Sequence, residues 1–119
     1  MTPAENKALA YRVYEAINAQ DAAALDQLFT PNVVRHAMGE VGIEKAREAM
    51  QKAFASGLLK RFVVEDVIAE GDKAALRVTV HGVPVPEGQP LPIIMEIFRF
   101  ENGRVAEIWG AGTMRMPAS

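Results

Sequence analysis

Two side chains of this chain stand out as able to exchange protons in an apolar setting, His36 and Glu96, and the Tyr14 phenol, in the first predicted helix, could reach the same interior to assist them or simply pack there. His36 ends the short apolar run Val33-Val34 in "NVVRHAMGEVG" and is one of only two histidines. An imidazole exchanges protons close to neutral pH. Desolvation among valines would hold it neutral, the form a general base needs. The same setting also suits a core histidine that donates to a backbone carbonyl. Glu96 lies in "IIMEIFRF", where strict alternation puts Ile94, Glu96, Phe98 and Phe100 on one face and Ile93, Met95, Ile97 and Arg99 on the other. Two phenylalanines beside Glu96 mark its face as the buried one. A buried carboxylate must pair with a cation or take up a proton. Protonated, it could donate to a developing oxyanion; ionised, it could accept from His36 and fix the tautomer.

Other chemistries find little support. With no cysteine there are no thiolate sites, and two distant histidines without clustered carboxylates make no recognisable metal site. Ser56 and Ser119, the only serines, lack the strand-turn-helix setting of a nucleophile elbow. His81 shares its strand face with Arg77 and Thr79, opposite Leu76, Val78 and Val80, and reads as an outer-face residue. Trp109 reads as packing or a subunit contact. The six methionines, among them Met38, Met50, Met95, Met114 and Met116, are chiefly core filler.

These side chains need a scaffold, and 119 residues with half apolar content suffice for one domain spanning 1–119. A net charge of −2 argues against nucleic acid as a partner. No apolar run approaches the roughly 18 residues of a membrane span, and the first residues lack a signal-peptide pattern, so the expectation is a cytoplasmic protein without a membrane partner. "TPAENKALAYRVYEAINAQD" opens with a Thr-x-x-Glu capping box around Pro3 and carries Leu9, Val13 and Ile17 at helical spacing. Asp21 caps a second, short helix that buries Leu25, Leu28 and Phe29, and "TPN" at 30–32 breaks it. After the short strand Val33–His36, "GIEKAREAMQKAFAS" predicts a third helix stopped by Gly57. The remainder is strand-like: "RFVVEDVIAEG", "KAALRVTVHGV", "IIMEIFRF" and "RVAEIWGAGTM". The turns are Gly71-Asp72 and Asn102-Gly103, and a proline-rich loop interrupts the middle. Helices segregated before an antiparallel meander predict an α+β fold, a cone-shaped barrel of three helices packed on a curved, mostly antiparallel sheet. The interior of such a cone is where a ligand would sit.

The segments "RVYEAINAQDAAALDQLFTPNVV", "VIAEGDKAALRVTVHG" and "EIFRFENGRVAEIW" resemble the SnoaL-like and ketosteroid-isomerase-like branch of the nuclear transport factor two superfamily, over nearly the whole chain. The resemblance implies the fold more narrowly than the activity, because the superfamily hosts isomerases, cyclases, dehydratases and plain binders. Aligned on the following glycine, His36 takes the position of the isomerases' proton-shuttling aspartate, and Glu96 that of their oxyanion-hole acid. Their oxyanion tyrosine aligns with Val13, one residue from Tyr14. The cyclases' glutamate-histidine-tryptophan run survives as Glu107, Ile108 and Trp109, with no aspartate following. The resemblance also directs Ile108, Gly110 and Gly112 inward, the glycines as room for a ligand.

The resulting expectation is a small cofactor-free acid/base enzyme of isomerase, lyase or cyclase type. It would act on a hydrophobic small molecule with His36 as general base and Glu96 and Tyr14 in support. Val13, Ile17, Met38, Phe54, Phe98, Ile108, Gly110 and Gly112 would line its pocket, with no metal. The outer sheet face would form a homodimer. The alternative is a non-catalytic binder of lipophilic ligands or a homodimeric interaction module of the same fold, natural or engineered.

Overall fold

The structure, a computed structural model, describes residues 1–56 and 61–113. The expectations placed on Gly57, Met114, Met116 and Ser119 lie outside the described residues. Helix α1 (Pro3–Asn18) begins as its sequence dictates: Thr2 accepts from the Glu5 amide, the Glu5 carboxylate accepts from the Thr2 amide, and Pro3 occupies the first helical position. It buries Leu9, Ala10, Val13 and Tyr14. Asp21 caps the 3-10 turn Ala22–Ala24, which runs into the single-turn α2 (Leu25–Leu28).

The chain then extends as β1 (Phe29–Arg35), passes a 3-10 turn (His36–Met38) and the two-residue β2 (Glu40–Val41), and forms α3 (Ile43–Ala55). Strand β1 starts earlier than "TPN" led us to expect, with Pro31 inside it. The register against β6 shifts between Phe29 and Val34, so the missing Pro31 amide falls in an irregular stretch of the ladder. The two-residue β2 was not legible at all.

Four long strands follow: β3 (Arg61–Glu70), β4 (Lys73–His81), β5 (Ile93–Glu101) and β6 (Arg104–Gly112). They form an antiparallel meander, and the last turn has positive φ at both Asn102 and Gly103, as a tight hairpin requires. The six-stranded sheet has the order β2-β1-β6-β5-β4-β3, with β1 parallel to β6 and every other pair antiparallel. This is the expected α+β architecture with a mixed, mostly antiparallel sheet.

The helices cover one face of the sheet. On this inner face Leu76, Val78, Val80, Phe98, Phe100 and Ile108 are buried, each large side chain contributing about 1.5–3 kcal/mol on leaving water. Asn18 fastens the end of α1 to β3: its side-chain amide donates to the Phe62 carbonyl, and its amide oxygen accepts from the Phe62 N–H, both at 2.8 Å. Among the described residues no helix is long and apolar enough to cross a membrane.

Candidate active site

Glu96 is fixed by strand register. It stands between Leu76 on β4 and Gly110 on β6, with Ile94 and Phe98 before and after it on the same face. A Cβ added to Gly110 would lie 3.1 Å from Glu96 Cγ and 3.4 Å from its Oε2. The glycine therefore makes room for the glutamate side chain itself. Space read in the sequence as room for a ligand is occupied by protein. At Gly112 an added Cβ would meet the Ile93 carbonyl at 2.9 Å, so that glycine permits close backbone approach.

Tyr14, buried on α1, reaches across the core and donates its phenolic O–H to Glu96 Oε1. Its ring lies parallel to Phe98 at 6.5 Å and tilted against Phe62 at 5.9 Å. Burial raises the Glu96 carboxyl above the usual carboxylate range, against the opposing effects of the Tyr14 hydrogen bond and the Arg35 charge. Burial raises the Tyr14 phenol well above its ordinary value, and the nearby Glu96 adds to the shift. Tyr14 is also part of the wall of a groove of about 260 Å³ between α1 and β3, together with Tyr11, Asn18, Arg61, Phe62 and Val64.

Arg35 enters from the other side. In the parallel ladder it is level with Ile108, while Val34 is level with Glu107, and level residues share a face. Arg35 therefore lies on the inner face with Ile108 and Glu96, two residues beyond the fully buried Val33. Its Nη1 donates to Glu40 Oε2 at 2.8 Å, across the β1–β2 pair.

His36 goes the opposite way. Its Nε2 lies 2.7 Å from Glu107 Oε2, and its ring stacks on Trp109 at 4.8 Å with a 5° interplanar angle. Glu107 and Trp109 alternate with Ile108 and Gly110, so they belong to the outer face. His36 does not share a pocket with Glu96. Val33 and Arg35 take the inward positions at the end of β1, and His36, the first residue of the 3-10 turn, leaves the strand toward the outer face. Glu107 Oε1 also accepts from Arg99 Nε at 2.6 Å, and Arg99 Nη1 reaches Glu101 at 3.0 Å. The hydrogen bonds from His36 and then Arg99 hold the Glu107 carboxyl below the usual range.

Against this geometry stand the comparisons with known proteins. A family model described as a SnoaL-like domain matches residues 10–108. The chain is a SnoaL-like domain. No curated protein matches it. TsrD from Streptomyces laurentii is 26% identical, with a TM-score of 0.76 over 94% of this chain and 90% of that one. A SnoaL-like polyketide cyclase from Agrobacterium tumefaciens is 17% identical, with a TM-score of 0.75 over 95% and 93% of the two chains. A candidate ketosteroid isomerase from Kribbella flavida is 15% identical, with a TM-score of 0.77 over 98% and 84%. The last two likenesses are of fold.

Within this SnoaL-like domain the remaining expected pocket residues separate. Val13 and Phe98 are fully buried and Ile108 nearly so, as members of the core; Ile17 packs on that core from its edge. Phe54 is half-buried at the end of α3. Met38 is 59% exposed in the 3-10 turn after β1 and lines no interior wall. Of the two adjacent positions on α1, Tyr14 and not Val13 meets Glu96. His81 lies on the outer face, its Nε2 3.2 Å from Thr79 Oγ1. Among the described residues no group of three His, Asp or Glu side chains is placed to hold a metal ion. Sequence reasoning missed Arg35 and Glu40. The sequence leaves the choice open, because Val33 and Val34 are both apolar, and it is the full burial of Val33 in the structure that points Arg35 inward.

Proposed function

We propose that this SnoaL-like domain is a proton-transfer enzyme for a hydrophobic small molecule, working without a cofactor, with Glu96 as its acid/base group. The reading rests on one observation: a carboxylate set among apolar side chains and held by the O–H of Tyr14. Desolvation raises the proton affinity of such a group, which brings a carboxyl closer to the task of taking a proton from carbon near neutral pH. Tyr14 holds one oxygen and leaves Oε2 as the working atom. Isomerisation, elimination and ring closure all draw on this step. His36, on the other face of the sheet, has no part in it.

The outer face supports a homodimer. Met95 and Ile97 are 49% and 44% exposed there, beside Trp109, and apolar surface grouped in this way suits a partner copy.

The test is turnover of a β,γ-unsaturated ketone, an activated benzisoxazole and an aryl 1,3-diketone by wild type, Glu96→Gln and His36→Ala. Loss of about 10²-fold or more in Glu96→Gln, with His36→Ala retaining most of the rate, supports the proposal. An equal loss in both variants returns the base to His36. If wild type is inert yet binds the compounds, the domain is a binding module.

A further inference from the structure

A base that takes a proton from carbon leaves negative charge on the substrate, and something must receive it. In this site the obvious donor is already committed. Tyr14 has a single O–H, and it points at Glu96 Oε1. The strand amides beside Glu96 belong to the β4–β5–β6 ladders. On β4 and β5, Lys73, Arg77 and Arg99 share the outer face, Arg77 paired with Asp66 and Arg99 with Glu101 and Glu107.

We propose that Arg35 is the electrophilic partner of Glu96, its guanidinium receiving the substrate oxygen that becomes negative as the proton leaves carbon. This rests on the reading of Glu96 as the base. Register puts Arg35 on the inner face, level with Ile108 on β6, and β6 is the strand that lies between it and Glu96 on β5. Glu40 holds it by Nη1 alone at 2.8 Å, which leaves the other nitrogens of a five-donor fork to face a ligand. The Arg35 side chain is about a third exposed, so its charge is tolerated without full burial.

The charge balance favours the arrangement. Ionised Glu96 takes a proton from the carbon next to a carbonyl. The C–H electron pair forms the new C=C bond, and the carbonyl π pair moves onto oxygen. One negative charge thereby passes from Glu96 to the substrate oxygen, and the net charge of the site is unchanged. A fixed cation facing both positions stabilises the charge before and after it moves, with no reorganisation at the moment of reaction. The field of Arg35 already acts on Glu96 and Tyr14, drawing the pKa of both downward against burial. Glu40 is then a positioning residue, which keeps the guanidinium from collapsing onto Glu96. The substrate class that fits is an apolar molecule with an enolisable carbonyl, oxygen toward β1 and body toward the Tyr14 groove.

The probe is 2-naphthol, whose ionised and neutral forms differ in absorbance, with 2-methoxynaphthalene as the neutral control. Binding is measured with wild type, Arg35→Gln, Arg35→Lys and Glu96→Gln, and with Arg35→Gln combined with Glu96→Gln. Arg35→Gln should weaken naphtholate binding about tenfold to a hundredfold, leaving the methoxy compound unaffected, and Arg35→Lys should recover part of the loss. The same dependence should persist in the Glu96→Gln background, where the glutamine stands in for the protonated acid. Equal weakening of both probes, or none, overturns the proposal, as does failure of wild type to prefer naphtholate. An Arg35-dependent preference in a protein whose turnover survives Glu96→Gln supports the role of Arg35 as receiver of negative oxygen and overturns only the choice of base. Loss of turnover in Glu96→Gln without any Arg35 dependence does the reverse.

Discussion

Arg35 and His36 are consecutive in the chain, yet the sheet lies between their side chains: Arg35 faces the Tyr14–Glu96 side, and His36 stacks on Trp109 on the other. The exchange of one residue for the next alters the chemistry of the interior, because a permanent cation stands where an imidazole base was expected. Glu96 changes role accordingly. Read as the acid of an oxyanion hole, it needs a separate base; opposite Arg35, the role proposed for it is that of the base.

Gly110 is the structural condition for that role. Alanine there would place its Cβ 3.1 Å from Glu96 Cγ, with the Met95 carbonyl 3.5 Å away on the same side. The glutamate stem must give way slightly, because the strand cannot yield. Gly110→Ala should lower stability by about 1–3 kcal/mol, the usual cost of overpacking, and reduce turnover as well. Thermal unfolding and the kinetic panel check both. A variant of full stability and full rate would show that Glu96 can be moved without consequence.

Burial of Glu96 also sets a pH dependence of stability. Its folded-state pKa is raised above the unfolded value, chiefly by desolvation. The folded state therefore holds the proton more tightly, and its contribution to stability is complete below the ordinary glutamate pKa. It is lost as pH rises through the raised value. Glu96→Gln removes this titration, so wild type should lose stability relative to the variant between weakly acidic and neutral pH. Urea unfolding of both proteins across that range measures it. Parallel curves would mean that Glu96 is as well solvated folded as unfolded.

Most of the fold was legible because its signals are local. The capping box at Thr2 and Glu5, the Asp21 cap, the Asn102-Gly103 turn and the alternation around Glu96 each depend on a few adjacent residues. The direction of His36 was not legible in this way. Aligning it on a glycine fixes distance along the chain but not parity across the sheet, and two consecutive valines, of which Val33 is the fully buried one, leave that parity open in the sequence. Arg35 and Glu40 escaped notice because they meet through β2, a strand of two residues too short to leave a pattern. Tyr14 was recognised as a reach into the interior, but its partner across the core depends on where α1 lies over β3.

The placement of α1 depends in turn on Asn18. Its side chain makes a reciprocal pair of hydrogen bonds with the backbone of Phe62, at the point where α1 ends and β3 begins to run beneath it. Asn18→Ala should cost roughly 1–3 kcal/mol, two net hydrogen bonds at ordinary strength. Asn18→Asp, which keeps one acceptor and loses the donor, should fall between. Because Tyr14 lies one helical turn before Asn18 on α1, loosening this end should also weaken the Tyr14–Glu96 contact, read as a shift of the pH midpoint of turnover. Loss of stability with an unchanged midpoint would confine Asn18 to holding the helix.

The outer face makes the last prediction. Met95, Ile97 and Trp109 are brought together by the β5–β6 register, with Ile97 directly opposite Trp109. Around them the polar side chains are already engaged with one another: Arg99 with Glu107 and Glu101, His36 with Glu107, Arg77 with Asp66. Charges paired within one copy do not repel a second copy, and the apolar strip gains by leaving water. Wild type should therefore sediment as a dimer. Ile97→Lys, which buries an unpaired ammonium in the contact, should give a folded monomer. Turnover per chain should survive in that monomer, because Glu96, Tyr14 and Arg35 all lie on the inner face of a single copy. A dimer that persists in Ile97→Lys would place the contact elsewhere on the molecule.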